Sequence, residues 1–191
     1  AWKFPKGREY YSVRLKRFTT TTKTADEIHK IGLREVARLR GDMKKVMKRL
    51  GHKGNPKSFF KKVRKDSKLY YSNDETGAKE YIKDANNFYE EISKIVPQFF
   101  NRRPKAGFEI RAVEKFRQNS AGIAFYERPS VDGKRPGVYY VNTKDMMNLP
   151  KYELEAILYH EGAPGYHFQI AISQELQNLP RLRKHSNYTA Y

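Results

Sequence analysis

Gly137-Val138-Tyr139-Tyr140-Val141, entered through Asp132-Gly133-Lys134-Arg135-Pro136, is a run of β-branched and aromatic residues behind a turn. Two more such runs precede it, Phe108–Val113 and Gly122–Glu127. All three are too short for helices, and Gly or Pro punctuates them, so together they predict a small, mostly antiparallel sheet.

Helical periodicity lies on both sides of that sheet. Thr24 and Glu27 have the spacing of a capping box, and Ile28, Ile31, Val36, Leu39, Met43, Val46, Met47 and Leu50 follow the helical period up to Gly51. The spacing predicts one long helix with an apolar stripe, weakened at Gly32 and Gly41, and reads its methionines as core packing. A shorter helix is expected from Pro56, with Phe59, Phe60 and Val63 inward. Another spans about Asp74 to Val96 and stops at Pro97. After the sheet, Tyr152, Ile157 and Leu158 precede a His-Glu pair, and Phe168, Ile170, Ile172 and Leu176 follow it. The fold class is therefore α+β and predominantly helical: long N-terminal helices, a small sheet, then the helices that carry the His-Glu motif. The reading divides the chain into a helical region, 1–105, and a sheet with motif helices, 106–191, within one continuous domain.

Composition narrows the function. Among 191 residues, 38% are apolar, with 14 Tyr and 11 Phe, which supports a buried core and argues against a disordered chain. No stretch nears the roughly 18 consecutive apolar residues of a membrane span. There is no cysteine, so disulfides, thiolate nucleophiles and thiolate zinc sites are excluded. No Gly-x-Ser-x-Gly elbow suggests a serine hydrolase. Net charge is +18, concentrated in residues 1–75, where 22 Lys/Arg face 8 Asp/Glu. Such a field attracts anionic polymers, and a basic nucleic-acid-binding module is the alternative reading. Without a recognised nucleic-acid motif, a solvated Lys-rich helical face is the better reading. The opening Ala1-Trp2-Lys3-Phe4-Pro5 carries no signal-peptide pattern and reads as a cut end.

The chemistry concentrates in Tyr159-His160-Glu161-Gly162-Ala163-Pro164-Gly165-Tyr166-His167-Phe168-Gln169. A His-Glu pair with another His nearby is the pattern of zinc hydrolases: an imidazole holds the metal and the adjacent carboxylate takes a proton from water. The usual second His, four residues on, would share a face with the first. Here that position is Pro164. On a straight helix His167 would lie about 10.5 Å further along the axis, too far for one ion. Gly162, Pro164 and Gly165 predict a broken helix instead, which brings Tyr166 or His167 back beside His160.

The chain resembles a large bacterial family catalogued as domain of unknown function 885, grouped by similarity with zincin-like metallopeptidases. The blocks that carry the resemblance are Tyr10-Tyr11, the Thr-rich stretch, Thr24 to Gly32, Pro129 to Gly137, Tyr140 to Thr143, His160 to Gln169, Leu179 to Arg183 and Tyr188 to Tyr191. The family pattern is His-Glu-x-x-Pro-Gly-His, and Tyr166 stands where its second His is expected. The family continues beyond the last block into a Glu-Gly-Trp segment whose Glu would be a third ligand.

The resemblance implies an N-terminal part of a zinc-dependent hydrolase, a peptidase by class, that is inactive by itself. His160 is the first metal ligand and Glu161 the general base. His167 or Tyr166 serves as second ligand, with Tyr166 also an oxyanion donor, or the site is degenerate and metal-free. The third ligand then comes from the remaining C-terminal part of the same protein. Gly137 to Val141, like the substrate-lining edge strand of zincins, offers Tyr139, Tyr140 or Asn142 to a peptide substrate, with ordinary strand packing and a turn as the equal alternative for these residues. Tyr188, Tyr191 and His185 are further oxyanion candidates, although a disordered cut end is the preferred reading of that stretch. Export, as a periplasmic or lipoprotein-type protein, is expected of many members and agrees with the lack of cysteine.

Overall fold

In a computed structural model of the chain, residues 3–185 are described. They divide into two compact units, with the division after Val63.

The first unit holds α1 (Gly7–Thr19), α2 (Ala25–Arg49) and the start of α3 (Pro56–Lys65). The capping box forms: the Thr24 side chain accepts from the Glu27 amide, and the Thr24 amide donates to Glu27 Oε2 at 2.7 Å. Gly51 stops the helix with a φ of 70°, the left-handed conformation that glycine adopts without strain. The predicted core role of the stripe is corrected for most of its length. Only Met47 of α2 is buried, while Val36, Leu39, Val46 and Leu50 are exposed.

The second unit holds α4 (Glu75–Ile95), β1 (Phe108–Ala112), β2 (Ala124–Glu127), β3 (Gly137–Val141), α5 (Lys151–Glu161), α6 (Tyr166–Glu175) and α7 (Arg181–His185). Asp74 caps α4 by accepting from the Gly77 amide. The structural division falls within α3, where the sequence reading put the change of region at 105. α4 groups with the sheet because Tyr81 and Ala85 pack into the core with Ile110, Tyr139 and Val141 of the sheet and Leu154 and Leu158 of α5.

The sheet has the order β1-β3-β2, with β1 parallel and β2 antiparallel to β3. It is mixed, which corrects the mostly antiparallel expectation. The Gly-Pro turn around Gly133 (φ 72°) folds β2 back onto β3. The longer excursion after Ala112 lets β3 return beside β1 in the same direction. Phe108, Ile110, Tyr139, Val141 and Tyr126 line the face towards α4 to α6, as the pleat requires. Val138, Tyr140 and Phe125 pack on the other face, where the Arg117 guanidinium lies 4.5 Å from the Tyr140 ring centroid.

Candidate functional site

Leu154, Leu158 and Glu161 fall within about 60° of one another around α5 at 100° per residue. The two leucines are buried in the core against the sheet. Glu161 therefore continues an apolar stripe, and its carboxylate is carried inward where a hydrocarbon side chain would be expected. Its Oε2 is buried and accepts no hydrogen bond from any described residue. Burial pushes the Glu161 carboxyl above its ordinary range, against a smaller downward pull from His160. Unpaired buried acceptors are rare in native folds, and they concentrate where a group handles protons.

The helix breaks immediately after this carboxylate. Gly162 closes α5 by donating to the Leu158 carbonyl at 2.7 Å, and α6 restarts at Tyr166. Gly165 is required by the close return of the chain, since a Cβ there would overlap the His160 carbonyl oxygen. The break agrees with the expectation from Gly162, Pro164 and Gly165.

The break brings Tyr166 beside His160. Their ring centroids lie 4.6 Å apart in an edge-to-face arrangement, with the His160 side exposed and Tyr166 half-buried. His167 goes elsewhere. It is 2% exposed, its Nε2 lies 3.2 Å from the Ala106 carbonyl and its Nδ1 lies 2.9 Å from the Tyr126 hydroxyl. A carbonyl only accepts, so Nε2 carries the proton and Tyr126 donates to Nδ1. With both nitrogens engaged and Phe108 packed at 5.0 Å, His167 in this arrangement offers no lone pair to an ion at His160. Burial lowers its pKa, which keeps the ring neutral and suits this pair of bonds. Gly137 leaves room for that packing, since a Cβ would meet both His167 Nδ1 and the Tyr126 hydroxyl.

The residues expected to bind substrate are differently placed. β3 is the central strand, hydrogen-bonded on both sides, so its backbone cannot also pair with a peptide. This corrects the edge-strand reading. Tyr139 is 0% and Tyr140 6% exposed, and the Asn142 amide donates to the Gln118 and Ala121 carbonyls. Tyr139 instead meets Tyr81, hydroxyl to hydroxyl at 3.1 Å, in a fully buried pair. Burial, then Tyr81, then the charge of Glu161 raise the Tyr139 pKa, which puts the orphaned carboxylate in the neighbourhood of this pair. The pairings of Tyr81 and Tyr126 were not legible in the sequence, because their partners lie 58 and 41 residues away and neither tyrosine carries a motif. Tyr188 and Tyr191 lie outside the described residues, as does the side chain of His185.

Over residues 1–191 the chain matches the family described as "Bacterial protein of unknown function (DUF885)". The chain belongs to this family. No curated protein matches it. Among solved structures, this DUF885 chain is similar to the "putative lipoprotein from Colwellia psychrerythraea", with 32% identity and a TM-score of 0.90 over 98% of its own length. It covers 32% of that chain, so it spans about a third of the relative's length. Among the described residues, no group of three or more His, Cys, Asp or Glu is arranged to hold a metal ion. His160, with Tyr166 beside it, supplies fewer donors than the three protein ligands a catalytic zinc requires. No described helix is long and apolar enough to cross a membrane.

Proposed function

We propose that this chain carries the proton-handling half of a metal-dependent hydrolase, of peptidase class, whose metal site is completed by polypeptide outside the described residues. The observation that carries the reading is Glu161: a half-buried carboxylate on the inward stripe of α5, with its Oε2 buried and unpaired among the described residues, a raised pKa, and an exposed histidine next in sequence. A carboxyl whose pKa is raised by burial holds a proton more readily than an ordinary carboxylate, which suits it to accept one from water and return it to a leaving group. Its position at the end of α5 holds it still, because Leu154 and Leu158 anchor the same stripe. His160 is the ligand this chain contributes, and Tyr166 is the neighbour that orients its ring or supplies a hydroxyl. A divalent ion such as zinc supplies Lewis acidity when bound.

A metal-free, degenerate member is the second reading, favoured by Tyr166 at the family's His position and by the engaged nitrogens of His167. We extend the export reading to this chain from the lipoprotein description of the similar solved protein. A peptide substrate and the rest of a longer polypeptide are the partners this function requires.

The test is zinc content by elemental mass spectrometry, on this chain and on a form lengthened by the family's natural continuation. Stoichiometric zinc in the longer form, lost in His160→Ala and kept in Glu161→Gln, is the expected result. Hydrolysis should vanish in Glu161→Gln. Turnover retained in that variant refutes the role of Glu161, and no zinc in the longer form leaves the degenerate reading standing.

A further inference from the structure

α2 presents a feature that the site does not use. Leu33, Val36, Leu39, Val46 and Leu50 are between 41% and 65% exposed. At 100° per residue, Val36, Leu39, Met43, Val46 and Leu50 share an arc of about 80°. Lys30, Arg34, Lys45 and Lys48 occupy the opposite side of the same helix. Part of that basic face is internally tied, since Arg38 bridges Glu35 and Asp42, and Lys45 also reaches Asp42. Long amphipathic helices draw most of their stability from packing of the apolar face, and a continuous exposed apolar row marks an interaction surface.

The length of the relative indicates what covers the row. The Colwellia psychrerythraea chain keeps this fold at a TM-score of 0.90 and carries about two thirds of its polypeptide outside the matched part. A segment of the same chain reaches the row at a high effective concentration, which a second copy or a bilayer does not share.

We infer that the apolar face of α2 is the seat of polypeptide that longer family members carry outside these 191 residues, a segment of the same chain that lays an apolar surface along Val36, Leu39, Met43, Val46 and Leu50. This does not rest on the hydrolase reading, and its test needs neither metal nor turnover. The chain is cysteine-free, so single cysteines report the surface without background from its own residues. Leu39→Cys on the apolar face and Lys45→Cys on the basic face are each labelled with a maleimide, in this chain and in the lengthened polypeptide. The expected result is labelling of Leu39→Cys slowed by at least about tenfold in the lengthened form only, with Lys45→Cys equally fast in both. Val46→Cys serves as a second probe if Leu39→Cys loses helix content by circular dichroism. Equal labelling of the apolar-face cysteines in both forms overturns the proposal. So does protection within the 191-residue chain that grows with protein concentration, which assigns the face to a second copy. Protection that requires vesicles of anionic phosphatidylglycerol overturns it in favour of a membrane.

Discussion

Glu161→Gln should make the protein more stable at neutral pH. A buried acceptor left without a partner costs about 1–3 kcal/mol, and more when it is charged. Glu161 is half-buried, and solvent screens the exposed part, so the lower end applies: about 1 kcal/mol. For a protein of this size that is a rise in Tm of about 2–4 °C. The sign follows from burial, which raises the folded-state pKa of Glu161 above its ordinary value. Over the window above that value the folded state binds more protons than the unfolded one, so this group's contribution to stability falls as pH rises. Below the usual carboxylate range Glu161 is neutral in both states, and the variant's advantage disappears. The assay is thermal unfolding of both proteins from pH 4 to pH 8 with a chelator present. A variant less stable than wild type at pH 7, or an advantage that does not change with pH, refutes the placement of this carboxylate.

Other consequences are equally direct. Gly165→Ala forces a methyl group against the His160 carbonyl and should cost about 3 kcal/mol or more, read by urea unfolding; a loss below about 1 kcal/mol contradicts the tight return after α5. His167→Ala removes two hydrogen bonds and a packed ring and should cost about 2–4 kcal/mol, whereas His160→Ala on the exposed side should stay within about 0.5 kcal/mol. Equal stability losses in those two variants would reverse their assignment. Because burial lowers the His167 pKa, its neutral form is favoured in the folded state, and stability should fall as pH drops below about 6.5. His167→Gln should flatten that part of the profile; an unchanged slope locates the titration elsewhere. Tyr81→Phe breaks the buried hydroxyl pair with Tyr139 and should cost about 1 kcal/mol, which chemical denaturation can resolve.

Local patterns were sufficient for much of this protein. The Thr24–Glu27 capping box, the stop at Gly51, the turn around Gly133 and the interruption after Glu161 all appear where residue identities put them. Each depends on contacts a few residues apart, and such contacts are written in spacing and in the special conformations of Gly and Pro. The candidacy of Glu161 came from the same kind of local reading, a carboxylate next to a histidine at a helix end.

Only the tertiary structure decided the partners. Which strand is central is set by pairing between residues about 30 apart, and β3 in the middle removes it from peptide binding. The choice between Tyr166 and His167 as neighbour of His160 depended on Ala106 and Tyr126, 61 and 41 residues away, which claim both nitrogens of His167. The periodicity of α2 marked an apolar face but carried no information about what meets it. A stripe records what a helix must bury, while the identity of the covering surface belongs to residues that arrive from elsewhere in the chain.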